Sequence, residues 1–446
     1  MSLAAVACAS DGNDPGDVAT PQPGATAVAT VSGVASTRDS TSTGTGSQPD
    51  PTSEGKPRQL ARIGEVVSGI RELSAGSDPN VSLVGKQRIA EELAEDLADP
   101  EVLAEIADLE VLLKLQGLVP QDSSLLEIQQ ALLEGPVVGL YNHETGELLV
   151  LGGGEELSVK EEAVYSHEYA HLIQDINFDL SVLFEDAKGD SDRERALEGL
   201  AEGEATFVES IYGGRTFLAG ELDELLAIDP VVLSVLLATP DFLLSSLRWP
   251  YTAGFGFVNS IWQQGGMSAL DDIWANLPET TEQVIHPEKY LADEYPNAPP
   301  VLPDMVAILG DGWSVQDEDV LGEAYISLWL EALGTETAVA AQAAAGWGRD
   351  GYQLLEGPGD EIAMGLLIEW DDPDTDALQF SVAFEAVLDA DATFTRLEGG
   401  DVTVARWSGP GGVLAFALDG ATGVAGVAVA PSVDEATALL DTLVVR

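Results

Sequence analysis

Several residue types are scarce in this chain, and each scarcity narrows what it can do. Cysteine occurs once, at Cys8, so no internal disulfide is possible. Histidine occurs only 4 times in 446 residues. Lysine and arginine together number 19 against 77 acidic residues, a formal net charge of −58. A surface this acidic repels phosphate backbones and excludes nucleic acid as an expected partner. It favours solubility and suits cationic partners or divalent ions. Beyond the first residues, no apolar run is long and uncharged enough to span a bilayer. Hydrophobic residues make up 45%, so most of the chain should fold, and its length suffices for two or three domains.

The N-terminal "SLAAVACAS" is small and apolar up to Cys8 and polar after it. It resembles the end of a bacterial lipoprotein signal, in which that cysteine is acylated, although the run is short and no basic residue precedes it. Residues 1–8 are therefore expected to be the remnant of a signal. Residues 9–56 are Ser, Thr, Gly, Pro and Asp with almost no large apolar side chain. Such a segment cannot offset its ordering entropy and is expected to be a flexible tether to a membrane.

Folding should begin near Pro57. "RIAEELAEDLADPEVLAEIADLEVLLKLQGL" has helical periodicity, with Pro100 opening a second helix and Gly117 closing it. "SSLLEIQQALLEG" reads as a helix ending at Gly135, and Val137–Leu151 as a strand hairpin turning at "NHETG". "KEEAVYSHEYAHLIQDINF" returns to helix. "SDRERALEGLAEGEATFVESIYGG" is another, closed by Gly213 and Gly214. The acidic "FEDAKGDSDRE" between them reads as a loop that could cover a cleft. From about Trp313, alternating strands mix with helices. The expected fold is α+β: a mostly helical domain over residues 57–312 with a small strand hairpin, then residues 313–446 as an α+β unit with a mainly antiparallel sheet.

"AVYSHEYAHLIQD" places two of the four histidines four residues apart. On a helix, His167 and His171 share a face and can direct two imidazoles at one ion. Glu168 sits about 100° round from His167, beside such an ion and close enough to take a proton from water bound to it. With so few histidines, His-Glu-x-x-His arises by chance in well under about one such chain in a hundred. These residues point to Zn2+ and to hydrolysis of a peptide or protein substrate. A catalytic zinc needs a third protein ligand and an open fourth position. No histidine lies close downstream, so a glutamate is expected. "ALEGLAEGEATF" and the residues after it offer Glu198, Glu202, Glu204 and Glu209. Glu198 and Glu202 lie four apart and can face the histidines together.

This stretch resembles the gluzincin branch of zinc metallopeptidases, with the zincin fold. It is more closely similar to an uncharacterised bacterial family of predicted secreted or lipoprotein zincin-like proteins. The likeness rests on "GLYNHETGELLV", "HEYAHLIQD", "ALEGLAEGEAT", "WPYTAGFGFV" and "TEQVIHPEKYL", covering about Arg71 to Leu291, and more loosely on "AAAGWGRDGYQLLEG". The resemblance implies a metal site and places Glu202 on the ligand glutamate, with Glu198 as its alternative.

Three further residues are weighed for that site. His286 in "VIHPEKY" and Tyr251 in "PYTAG" are candidates to stabilise an oxyanion. Asp175 continues the histidine face and could hold a ligand imidazole by its far nitrogen. His143, at the hairpin tip, reads as exposed and idle. The expected function is an extracytoplasmic, membrane-tethered or secreted zinc metallopeptidase with Glu168 as general base. The rival is a non-catalytic zincin-like envelope lipoprotein acting in binding or envelope maintenance.

Overall fold

The computed structural model describes residues 55–77, 79–133, 139–152, 154, 156–225, 230–399 and 403–444. Cys8, the tether up to residue 54, Gly135 and the first residues of the hairpin lie outside the described residues.

The chain opens with α1 (Lys56–Arg71), β1 (Val81–Val84), α2 (Lys86–Leu97), α3 (Pro100–Gln116) and α4 (Leu125–Leu133). Pro100 stands at the start of α3 and Gly117, at φ 77°, ends it in the left-handed conformation that glycine adopts without strain. β2 (Gly139–Asn142) and β3 (Glu147–Leu151) pair antiparallel, and β1 adds parallel to β3, giving the order β1-β3-β2. Among the described residues, one edge of β2 carries no further strand.

Three helices then follow. α5 (Val159–Phe178) starts at a capping box, in which the Ser158 side chain accepts from the Glu161 backbone and Glu161 accepts from the Ser158 backbone. α6 (Leu180–Ala187) follows directly on Asp179, which ends α5 at φ 61° and caps α6 with its side chain. α7 (Ser191–Thr216) is capped by Asp190 and runs through Gly213 and Gly214, past the stop expected there. Tertiary packing explains the continuation: Gly213 stays buried, and a Cβ on it would reach the Phe217 ring at 3.4 Å. The "FEDAKGDSDRE" stretch is not a covering loop. Its first half is the end of α6, its last residues begin α7, and Arg193 bridges back to Asp186 at 2.8 Å.

Next come α8 (Ala219–Leu225), α9 (Pro230–Leu236), α10 (Asp241–Gly265), α11 (Met267–Ala275), α12 (Thr281–Ile285), α13 (Pro287–Leu291) and α14 (Met305–Leu309). α7 and α10 cross in close contact. A Cβ on Gly203 would collide with the backbone of Gly254, and one on Gly254 with the carbonyl of Gly199. The glycines of "EGLAEGEA" and "TAGFG" therefore set how near the two helices come.

The rest comprises β4 (Ser314–Asp319), α15 (Gly322–Ala332), α16 (Thr337–Ala344), β5 (Trp347–Glu356), β6 (Ile362–Trp370), α17 (Asp376–Ala390), β7 (Thr395–Arg396), β8 (Ala405–Gly409), β9 (Gly412–Asp419), β10 (Val424–Ala430) and α18 (Val433–Leu443). The strands form one antiparallel sheet in the order β4-β5-β6-β10-β9-β8-β7. Period-two alternation sends Leu354, Leu366 and Phe416 to one face, against Trp329 of α15 and Phe384 of α17. Leu355, Leu367 and Ala415 go to the other, against α18 and Met305 of α14. Met305 sits under Gly365, so α14 packs on the sheet from upstream of residue 313. The fold is α+β, with the mainly antiparallel sheet in the C-terminal part.

The two parts share one core. Leu197, Phe242, Trp249 and Phe257 of α7 and α10 belong to the same buried cluster as Trp329, Trp347 and Phe384. Polar ties reinforce the junction: Arg349 pairs with Asp190, and Ser191 N donates to Asp319 at 3.1 Å. Buried Asp192 accepts from Thr281 N at 3.1 Å and from its hydroxyl at 2.5 Å.

Candidate metal centre

α5 and α7 face one another, and each contributes to a single cluster. His167 and His171 come from α5 and Glu202 from α7, with relative exposures of 8%, 7% and 3%. His167 Nε2 and His171 Nε2 are 3.1 Å apart, and Glu202 Oε2 lies 3.1 Å from the first and 3.3 Å from the second. Tetrahedral coordination with bonds of about 2.0–2.1 Å separates ligand atoms by about 3.3 Å. The triangle therefore has the dimensions of three corners of a zinc tetrahedron. Among the described residues it is also the one group of His, Cys, Asp or Glu so arranged.

The outer ring nitrogens show which way the lone pairs point. Gln174 Nε2 donates to Ala201 O at 2.9 Å, which turns its amide oxygen toward α5. That oxygen lies 2.8 Å from His171 Nδ1, which must therefore carry the proton. His167 Nδ1 lies 3.3 Å from Glu209 Oε2 and donates to it. Both Nε2 atoms are then lone-pair donors, facing each other and a carboxylate. Three such atoms at these distances are held together by protons or by a metal ion between them, and a hydrogen-bonded Nδ1–H is how a metal-binding imidazole is oriented. The residues fit zinc.

Without an ion, the same contacts show up as displaced titrations. Burial opposes charge on both imidazoles, but Glu202 outweighs it, and His167 is held well above its ordinary pKa with help from Glu209. His171 is raised as well, chiefly through Glu202. Burial would raise Glu202, yet the two imidazoles hold it far below the usual carboxylate range. Burial pushes Glu209 up, against the pull of His167.

Glu168, next to His167 on α5, is held by the neighbouring strand. Its Oε2 accepts from the backbone N–H of Tyr141 on β2 at 2.9 Å, leaving Oε1 without a hydrogen bond among the described residues. Burial raises its pKa, offset in part by His167 and His171. A Cβ on Gly139 would come within 3.3 Å of the Glu168 side chain, so the glycine lets strand and helix approach.

Tyr251 is brought to the site. Pro250 and Tyr251 lie within α10, and the Tyr251 ring stacks on the His167 ring at 6.0 Å. Glu198 lines the same cavity one turn before Glu202 but is not part of the metal cluster. Two expectations are corrected. His286 joins α12 to α13, and its Nε2 is engaged 2.8 Å from buried Glu323 on α15; it does not line the cavity at the metal cluster. Asp175 does not hold an imidazole: it accepts from the Tyr141 hydroxyl at 2.5 Å and from Leu180 N at 2.8 Å. The residue that does so is Gln174, three after His171, a spacing that was available in the sequence. His143 is not idle either. It is half-buried, lines the cavity and packs on Phe184, and burial lowers its pKa.

The cavity, of 390 Å³, opens on Glu202 and Tyr251. Its floor is α7 and α10, its roof is α2, α3 and α4, and Val320, Leu321, Tyr325 and Tyr352 close one end. Behind the cluster, Arg71 is 1% exposed and pairs with Glu204, which also accepts from Trp274 Nε1 at 2.5 Å. Glu204 is thereby committed to the α1–α7–α11 junction and is unavailable as a ligand.

Residues 312–440 match a family model described as a domain of unknown function (DUF8575). That span runs from β4 into α18 and includes none of the metal-site residues. No curated protein and no solved structure matches the chain.

Proposed function

We propose that the protein is a zinc-dependent metallopeptidase, held or secreted outside the cytoplasm. The observation that carries this reading is the Gln174–His171 hydrogen bond together with the convergence of both Nε2 atoms on Glu202. His167, His171 and Glu202 hold the ion. Bound there, zinc supplies Lewis acidity and lowers the pKa of a water to about 7.

Glu168 is the proton carrier. Tyr141 N–H fixes its Oε2, so Oε1 is the atom that takes a proton and later gives it to the leaving amine. Tyr251, against the His167 ring, is placed to stabilise negative charge on the reacting carbonyl oxygen. The edge of β2, unpaired by strands among the described residues, runs beside Glu168 and can align an extended chain.

The test is peptide hydrolysis by the zinc-loaded protein and by Glu168→Gln. The expected result is a loss of kcat of about 10²–10⁴ with zinc retained. Equal hydrolysis by both would remove Glu168 from the chemistry. Stoichiometric zinc with no cleavage across a broad peptide library would favour the non-catalytic binding protein.

A further inference from the structure

His143 is the histidine that neither the metal cluster nor a carboxylate claims. It stands in the hairpin tip between β2 and β3, half-buried, and lines the cavity that Glu202 and Tyr251 also line. Ser181 on α6 fixes its tautomer. The Ser181 hydroxyl donates to His143 O at 2.7 Å, so its proton is engaged on that carbonyl. Ser181 Oγ also lies 3.2 Å from His143 Nδ1 and must act there as the acceptor. Nδ1 therefore carries the proton. Nε2 keeps its lone pair and has no hydrogen bond among the described residues. Burial favours the neutral ring.

The ring is held in place before any ligand arrives. It packs on Phe184 of α6 with centroids 5.5 Å apart. Asn142 Oδ1 accepts from Glu144 N at 2.9 Å and from Thr145 N at 3.0 Å, and Asn142 Nδ2 donates to Glu92 on α2 at 2.8 Å. The tip is thus tied to α2, to α6 and to itself. A lone pair fixed in advance binds a donor with little ordering cost. The strand beside it indicates which donor. Tyr141 N–H turns to Glu168 and away from β3. Backbone groups alternate in direction along a strand, so the edge of β2 without a further strand presents those of Gly139 and Tyr141. The next place in that series is His143, whose carbonyl already accepts from Ser181. An extended peptide on this edge turns N–H groups toward it, and one left without an acceptor is costly. The Tyr141 and Tyr352 hydroxyls of the same lining are turned to Asp175 and Asp317. His143 Nε2 is the neutral acceptor that remains at the end of the strand.

We infer that His143 is a substrate-binding residue: its Nε2 accepts a backbone N–H of the bound peptide and so selects against an ester, an N-methyl group or proline at that position. This rests on the metallopeptidase reading in taking a peptide as the ligand.

The test uses two zinc-directed peptides that extend to opposite sides of the ion, acetyl-dileucine hydroxamate and the succinyl hydroxamate of dileucine methylamide. Each backbone N–H is replaced in turn by an ester oxygen, which removes that donor. Binding to the zinc-loaded chain is measured by calorimetry. One of the esters should bind roughly tenfold or more weakly than its parent amide. That difference should vanish in His143→Phe, which keeps a ring against Phe184, and persist in His143→Gln, whose amide oxygen can accept. A loss of packing alone would weaken amide and ester alike. Esters that all bind the unaltered chain as tightly as their parents overturn the inference, whether or not the variants fold. So do ester penalties that are the same in His143→Phe as in the unaltered chain, and so does a chain that binds neither hydroxamate. Peptide hydrolysis separates the two claims. Cleavage by a chain that shows no ester penalty removes the His143 site and leaves the peptidase standing. A penalty tied to His143 without cleavage of any peptide keeps the site and removes the peptidase.

Discussion

His171 can offer its Nε2 to a metal because Gln174 holds its Nδ1. The amide oxygen holds the Nδ1 proton, and the Ala201 carbonyl holds the amide. Gln174→Leu removes that acceptor while keeping the volume, and zinc affinity should fall about 10–100-fold in a competition titration. Unchanged affinity would show that the tautomer does not depend on Gln174. Protons compete with zinc at the same atoms. Metal-free, His167 and His171 have pKa values raised above 6.5, so their charged form stabilises the fold below the unfolded value, and this contribution is lost as pH rises through the folded ones. Glu202 runs oppositely: its depressed pKa stabilises the fold above about 4.5, the unfolded value, and this is lost as pH falls through the folded one. Zinc must displace the imidazolium protons. The gap in Tm between zinc-loaded and chelated protein should therefore widen from pH 6 to pH 8.5 in a thermal-shift series. A gap that narrows would contradict the assignment of the imidazoles as ligands. The pair His167 and His171 was legible in the sequence because a helix turns spacing directly into facing. Gln174 was passed over for Asp175, since ligand-orienting groups are most often thought of as carboxylates. The actual partner was decided by an amide whose other end is fixed on a different helix.

The crossing of α7 and α10 sets the position of Glu202, and glycine sets the crossing. Gly203→Ala places a methyl against the backbone of Gly254, which no rotamer change can relieve. The expected cost is about 1–3 kcal/mol or more in denaturant unfolding, accompanied by weaker zinc binding because Glu202 is its neighbour. A neutral effect on both would show that the helices can part freely. Helix existence was readable from caps and periodicity, as Pro100, Gly117 and the Ser158–Glu161 box illustrate. Strand β4 was not. "SVQDED" has no apolar alternation, because it is an exposed edge strand paired only with β5. The packing of α14 on the sheet was not readable either. Met305 is the one buried residue of a five-residue helix, and its place under Gly365 appears only when the sheet is assembled.

Across the whole molecule, α7, α10 and the seven-stranded sheet bury apolar faces in one continuous cluster. Unfolding should therefore be a single cooperative transition by calorimetry, shifted as a unit when zinc is added. Two separable transitions would contradict the shared core. The shared core also explains why Val320, Leu321, Tyr325 and Tyr352 from the C-terminal part reach the cavity at the metal cluster. Everything proposed for this chain depends on an ion at His167, His171 and Glu202. The most direct measurement is native mass spectrometry of the chain after zinc loading and desalting, beside Glu202→Gln and Glu198→Gln. The account predicts one zinc per chain, lost with Glu202→Gln and kept with Glu198→Gln. A chain that retains no zinc, or one that loses it only with Glu198→Gln, would contradict it.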